Sequence, residues 1–168
     1  MNDQQRKTLM KWRSRYKRAQ LAHIYTALDY RSYHFFLGIL LIALTTASCV
    51  LIFSSNQLCP WISPTISMMA AFLAYLQTFL QLSEKADVHR KTARRYGSLK
   101  KRIEYIIDFQ AEESNLSEKI DFIRNKEDEI ASDSLHALTR CWKKAKEETQ
   151  KENDESSIRN RNKMAIIK

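Results

Sequence analysis

Between Arg31 and Glu84 the chain carries no Asp, Glu, Lys or Arg. Within that interval lie two apolar runs, FFLGILLIALTTASCVLIFSS from Phe35 to Ser55 and TISMMAAFLAYLQTFLQL from Thr65 to Leu82. A helix needs roughly 20 such residues to cross about 30 Å of hydrocarbon, with about 17 as the short limit. A buried helix of a soluble domain would interrupt the runs with polar positions every turn. They therefore predict transmembrane helices at 35–55 and 65–82, joined by an extracytoplasmic link at 56–64. A secretory signal peptide fits the first run poorly, because it starts only at Phe35 and a second run follows closely.

The net charge of +9 points to nucleic acid or an anionic membrane, and its distribution decides between them. Before the first run stand Arg6, Lys7, Lys11, Arg13, Arg15, Lys17, Arg18 and Arg31, against only Asp3 and Asp29. After the second come Lys85, Arg90, Lys91, Arg94, Arg95, Lys100, Lys101 and Arg102, against Glu84 and Asp87. The link has no charge, so the positive-inside bias places both termini in the cytoplasm. Trp61 suits the outer headgroup belt; Tyr30, Tyr33 and His34 suit the inner one. Lys85, His89, Arg90, Arg94 and Arg95 read as a basic collar at the membrane border, where each nearby Lys or Arg contributes about 1 kcal/mol against anionic lipid.

Both prolines, Pro60 and Pro64, fall in the link, and the glycines are Gly38 and Gly97. No Gly-rich phosphate loop, hairpin turn or βαβ series occurs, so long helices are expected. The fold class is an all-α membrane protein: two transmembrane helices with long N- and C-terminal cytoplasmic helices. Residues 1–34 form a basic amphipathic helix with Trp12, Tyr16, Ala19, His23 and Tyr30 on one face, which packs on other helices or lies on the membrane surface. With no proline after Pro64, the second span can run on unbroken into a helical or coiled region, 83–145. There Leu99, Ile103 and Ile106 form a stripe, with Ile107 beside them. Glu112 to Asn115 is the candidate interruption, with Ser114 or Asn115 as a cap. A further stripe holds Leu116, Ile120, Ile123 and Ile130, then Leu135, Leu138 and Trp142. Such stripes mean packing within the chain or in an oligomer. From Lys146 to 168 the chain turns to Glu, Lys, Asn, Asp and Ser, the composition of a disordered polar tail.

No catalytic, cofactor or metal constellation is present. Cys49, Cys59 and Cys141 lack metal or redox spacing, although Cys59 could cross-link chains if the link faces an oxidising space. His23, His34, His89 and His136 belong to no catalytic motif. The expectation is a non-enzyme. The basic clusters lack base-reading modules, so nucleic acid is not an expected partner. One pattern inside the second span carries weight. Ser67, Ala70, Ala71, Ala74, Gln77, Thr78 and Gln81 share a stripe opposite Phe72, Leu73, Leu76, Phe79 and Leu80. Intramembrane amides need partners or water. The stripe is either helix–helix glue or the wall of a wet pore, with Ser67, Ala71, Ala74, Gln77, Thr78 and Gln81 as lining candidates. Two helices cannot enclose a channel, so a pore demands a homo-oligomer.

The order of parts resembles the SLATT family, two-helix membrane effectors named for association with SMODS and SLOG proteins. The matching features are HIYTA at His23–Ala27, the two close-set runs with a Trp/Pro link, and Leu76-Gln77-Thr78-Phe79. Glu84-Lys85-Ala86, His89-Arg90, Ala93, Arg95-Tyr96 and Leu99 then follow. The likeness spans Arg18 to Ile107. It implies a pore-forming effector in the bacterial inner membrane, acting in abortive infection against phage. The implied trigger is a separate sensor, a nucleotidyltransferase or reverse transcriptase, or its nucleotide product, because these residues show no fused sensor domain. The competing expectation is a non-conducting two-span anchor that recruits a cytoplasmic partner through its helices.

Overall fold

The computed structural model describes residues 3–53, 61–109 and 113–166. They form five helices and no strand: α1 Asp3–Phe53, α2 Ile62–Leu80, α3 Leu82–Asp108, α4 Glu113–Asp133 and α5 Thr139–Ile166. The chain divides into two compact units, one of residues 28–87 and one that joins residues 1–27 to 88–168. The first is a two-helix hairpin and the second a helical bundle.

The hairpin pairs the apolar half of α1 with α2. Its large side chains point outward: Phe35, Phe36, Ile42, Ile52, Phe53, Met68, Phe72 and Phe79 are all more than half exposed. Of the most apolar 18-residue stretch of α1 only 6% is buried, and of that in 62–108 only 11%. A core helix of a soluble domain would be mostly covered. Both helices are long and apolar enough to cross a membrane: the 19 residues of α2 rise about 28 Å.

Two boundaries differ from expectation. Helix α2 begins at Ile62, so Ser63 and Pro64 lie in its first turn rather than in the link. Proline is tolerated there because its missing N–H would have no intrahelical acceptor. The Thr65 amide makes an early helical bond, to the Trp61 carbonyl at 3.2 Å. The last two residues of the expected first span, 54 and 55, and residues 56–60 of the expected link, Cys59 included, lie outside the described residues. The second difference is a break where continuity was expected. Gln81 is left-handed, φ 46° and ψ 41°, and ends α2; the α3 ladder restarts with Lys85 N–H donating to the Gln81 carbonyl at 3.1 Å. A non-glycine residue there costs roughly 1–2 kcal/mol, and neither Pro nor Gly announces it.

The bundle is built on one core. Leu9 and Tyr16 of α1 meet Leu99, Ile103, Ile106 and Ile107 of α3 and Leu116, Ile123 and Ile130 of α4, with Trp12, Tyr96 and Ile120 packed at the edge. The first predicted stripe and the Leu116–Ile130 part of the second thus meet within the chain, whereas Leu135 and Trp142, beyond the end of α4, are exposed. Beside this core α1 and α3 approach closely through small residues, Ala19, Ala22 and Ala93. Gly97 completes that seam, since a Cβ there would come within 2.8 Å of the Gln20 side chain. The break between α3 and α4 falls after Asp108, and α4 has begun by Glu113, which puts Ser114 and Asn115 in its first turn rather than at its cap. Glu112 lies outside the described residues.

The expected disordered tail is a correction. Residues 146–166 are helical, in α5, and Cys141, Ala145 and Thr149, one turn apart, are buried. Tyr25 and Lys17 of α1 bond to Glu148 and Glu152 of α5. This narrow stripe of small residues supplies a packing face that the polar composition conceals. Between α4 and α5, the Leu138 amide donates to Thr26 Oγ1 at 3.2 Å, and Thr26 donates to the Ala22 carbonyl at 2.8 Å.

Ile103 is wholly buried at the centre of the core, so Ile103→Ala should destabilise the bundle by about 2–5 kcal/mol. Denaturant unfolding in detergent, followed by near-ultraviolet dichroism, measures it; a loss under about 1 kcal/mol would mean the core is not closed as described.

Candidate functional site

Helix α2 carries the polar stripe, and the hairpin shows which part of it α1 covers. Ser67 Oγ lies 2.6 Å from Ser48 Oγ, and Gln77 Nε2 lies 3.4 Å from His34 Nε2. As one number rises the other falls, so the helices are antiparallel. Ala70 is buried between these contacts and Ala74 is half-buried. Ala71 and Thr78, on the other flank of the stripe, are exposed, as is Gln81 where the helix ends. The stripe is therefore split: Ala70, Ala74 and Gln77 turn to α1, Ser67 sits at the edge, and Ala71 and Thr78 face away from it. Most hydroxyls are satisfied locally. Thr45 and Thr46 donate to carbonyls of α1, and Thr65 and Thr78 donate to the Trp61 and Ala74 carbonyls. A Thr bonded to its own helix reaches an apolar surface with no donor left over. Ser48, the partner of Ser67, has no sequence signal beyond being a small polar residue in an apolar run.

The predicted collar divides too. Lys85, Arg90 and Arg94 are exposed. Arg95 instead reaches α4, 3.1 Å from Asp133 and 3.9 Å from Glu129. His89 is no surface residue: it is 1% exposed, with its Nδ1 3.0 Å from Nδ1 of His23. The signal for this was available, since Leu82, Ala86, His89, Ala93 and Tyr96 repeat at steps of four and three. The Tyr96 ring stacks on His23 at 5.8 Å between centroids.

One imidazole of the pair must donate through Nδ1 and the other accept, so the two hold opposite tautomers, and a proton on the acceptor's Nδ1 breaks the bond. Burial, and then the neighbouring His89, push His23 down to about 4 from 6.5. Burial also lowers His89. In the same bundle Tyr16 donates to Glu127 at 2.7 Å, and Arg15 clamps that carboxylate at 2.5 and 2.6 Å. Burial first, and then the Glu127 bond, raise the Tyr16 phenol. These groups structure the bundle; no trio of His, Cys, Asp or Glu that could hold a metal occurs among the described residues.

Two measurements check this geometry. With Cys49→Ser, Cys59→Ser and Cys141→Ala as background, Ser48→Cys plus Ser67→Cys should oxidise within one chain; an interchain cross-link alone would contradict the hairpin pairing. The lowered histidines mean the unfolded chain binds protons that the folded one refuses. Their contribution is complete above about pH 6.5 and is lost as pH falls towards about 4. The bundle should therefore melt at lower temperature as pH drops through that window, with a shallower fall in His23→Gln; identical slopes would sink the assignment.

Neither a curated protein nor a solved structure matches the chain. A family model does, over residues 12–160: SMODS and SLOG-associating 2TM effector domain, family 4. The match takes in the second apolar run and the stripe, collar and buried pair just described, and reaches beyond the Arg18–Ile107 likeness through α4 and most of α5. The chain belongs to that family of two-transmembrane effector domains.

Proposed function

We propose that the chain is a homo-oligomeric effector of the bacterial inner membrane, with both termini cytoplasmic, whose second helices line a gated pore. One observation carries this reading: α1 covers only one flank of the polar face of α2, leaving Ala71, Thr78 and Gln81 without cover. A flank of small residues ending in the amide of Gln81 gains little from lipid, whereas against another copy it permits close approach and a hydrogen bond from that amide. A ring of such contacts turns Ser67, Ala71, Ala74, Gln77, Thr78 and Gln81 towards a lumen, those nearest α1 at its edges. Exposed Lys85, Arg90 and Arg94 supply the basic border against anionic lipid. The membership in a family named for SMODS and SLOG association supports a separate sensor as trigger. That sensor is a nucleotidyltransferase or reverse transcriptase, acting directly or through a nucleotide product. The output is loss of membrane integrity, and abortive infection follows from it.

A second reading has its own support. The contacts Ser48–Ser67 and His34–Gln77 satisfy part of the stripe inside one chain, as glue in a non-conducting anchor would.

Dye release from liposomes separates the two. The clustered or activated wild-type protein should leak, and Ala71→Leu with Thr78→Leu should cut leakage at least roughly tenfold while insertion is unchanged, because filling a lumen raises the barrier to passage. No leakage from clustered wild-type protein would remove the pore and leave the anchor.

A further inference from the structure

Four cations of the bundle are matched by an acid on a neighbouring helix. Arg13 meets Glu104 at 2.7 Å, Arg15 meets Glu127 at 2.5 Å, Arg95 meets Asp133 at 3.1 Å, and Lys17 meets Glu152. Between α3 and α4 the pattern changes. A cleft of about 560 Å³ opens there, with Lys101, Arg102 and Lys119 on its walls, and none of the three is in an ion pair among the described residues. Among the described residues Glu118 is its only lining acid. The same walls carry Tyr105 and Phe122, 59% and 41% exposed, above a floor of Ile106 and Ile123. Arg102 lies over the Phe122 ring, its Cζ 4.5 Å from the centroid, which holds the guanidinium in the wall.

Unmatched cations beside exposed aromatic rings in a bounded cleft specify a ligand with two parts: an anion, and a planar apolar face. Lysines supply point charges, and arginine a planar fork that suits phosphate oxygens. Aromatic rings and guanidinium planes stack on bases. The volume falls within the range of about 300–1,000 Å³ of small-ligand sites. We propose that this cleft binds a nucleotide of one or two phosphorylated units, with phosphate on Lys101, Arg102 and Lys119 and a base against Tyr105 or Phe122. That such binding is the trigger rests on the effector reading above; the binding itself does not.

The test uses the full chain in detergent micelles and equilibrium dialysis with labelled linear diadenylate. Adenosine, inorganic pyrophosphate and a 15-nucleotide RNA serve as the comparison probes. Diadenylate should bind saturably, at least roughly tenfold tighter than adenosine or pyrophosphate, since each supplies half of the recognition. Phe122→Ala and the exposed-site change Lys101→Glu should each weaken it by roughly tenfold, the second without altering the melting temperature. No saturable binding below about 1 mM, equal affinity for pyrophosphate, binding of the RNA alone, or indifference to Lys101→Glu would each overturn the site. Diadenylate binding without liposome leakage would keep the site and remove the pore; leakage on clustering without binding would do the reverse.

Discussion

A segment with no charge from Ser32 to Ser83 must satisfy its backbone polar groups by itself if it is to lie in hydrocarbon, and only helices do so within a single segment. The rest of the architecture depends on that requirement. It keeps proline out of α1 and confines Pro64 to the first turn of α2, where an amide is not missed. It also explains why Thr45, Thr46, Thr65 and Thr78 bond to their own helices. Hydroxyls already spent locally leave a short list of groups that need company: Ser48 with Ser67, His34 with Gln77, and the amide of Gln81.

The bundle solves a different problem. Its core is ordinary aliphatic packing around Ile103, Ile123 and Ile130, yet the adjoining α1–α3 seam is made of Ala, Thr, Gly and His. Small residues let the helices close up, and the imidazole pair fills the seam with polar atoms that satisfy each other. Cross-helix ion pairs rim the bundle; exposed pairs of this kind contribute about 0–1 kcal/mol each, so they select neighbours more than they stabilise the whole.

What could be read in the residues alone follows the strength of the physical signal. Two apolar runs without charge, and aliphatic stripes such as Leu99, Ile103 and Ile106, survive any local context, so the all-helical class, the two long apolar helices and the core were legible. The failures have separate causes. Gln81 breaks the second helix with no Gly or Pro to mark it. His89 was assigned to the surface by its basic neighbours, although its register with Ala86 and Ala93 places it inside. The stripe Cys141, Ala145, Thr149 was hidden by the acidic and basic residues around it, because composition averages over faces that a helix keeps apart. The split of the polar stripe in α2 depends on where α1 lies against it, which no single-helix pattern contains.

The bundle is assembled from both ends of the chain, residues 1–27 and residues 88–168, with the whole apolar hairpin between them. During synthesis the leading helix is made with Leu9 and Tyr16 uncovered, and their partners on α3 and α4 are made only after both apolar helices. Contacts so distant in sequence form slowly, because a large loop must close first. The hairpin is thus complete before the bundle can close, and until α3 and α4 exist the first helix waits for its partners.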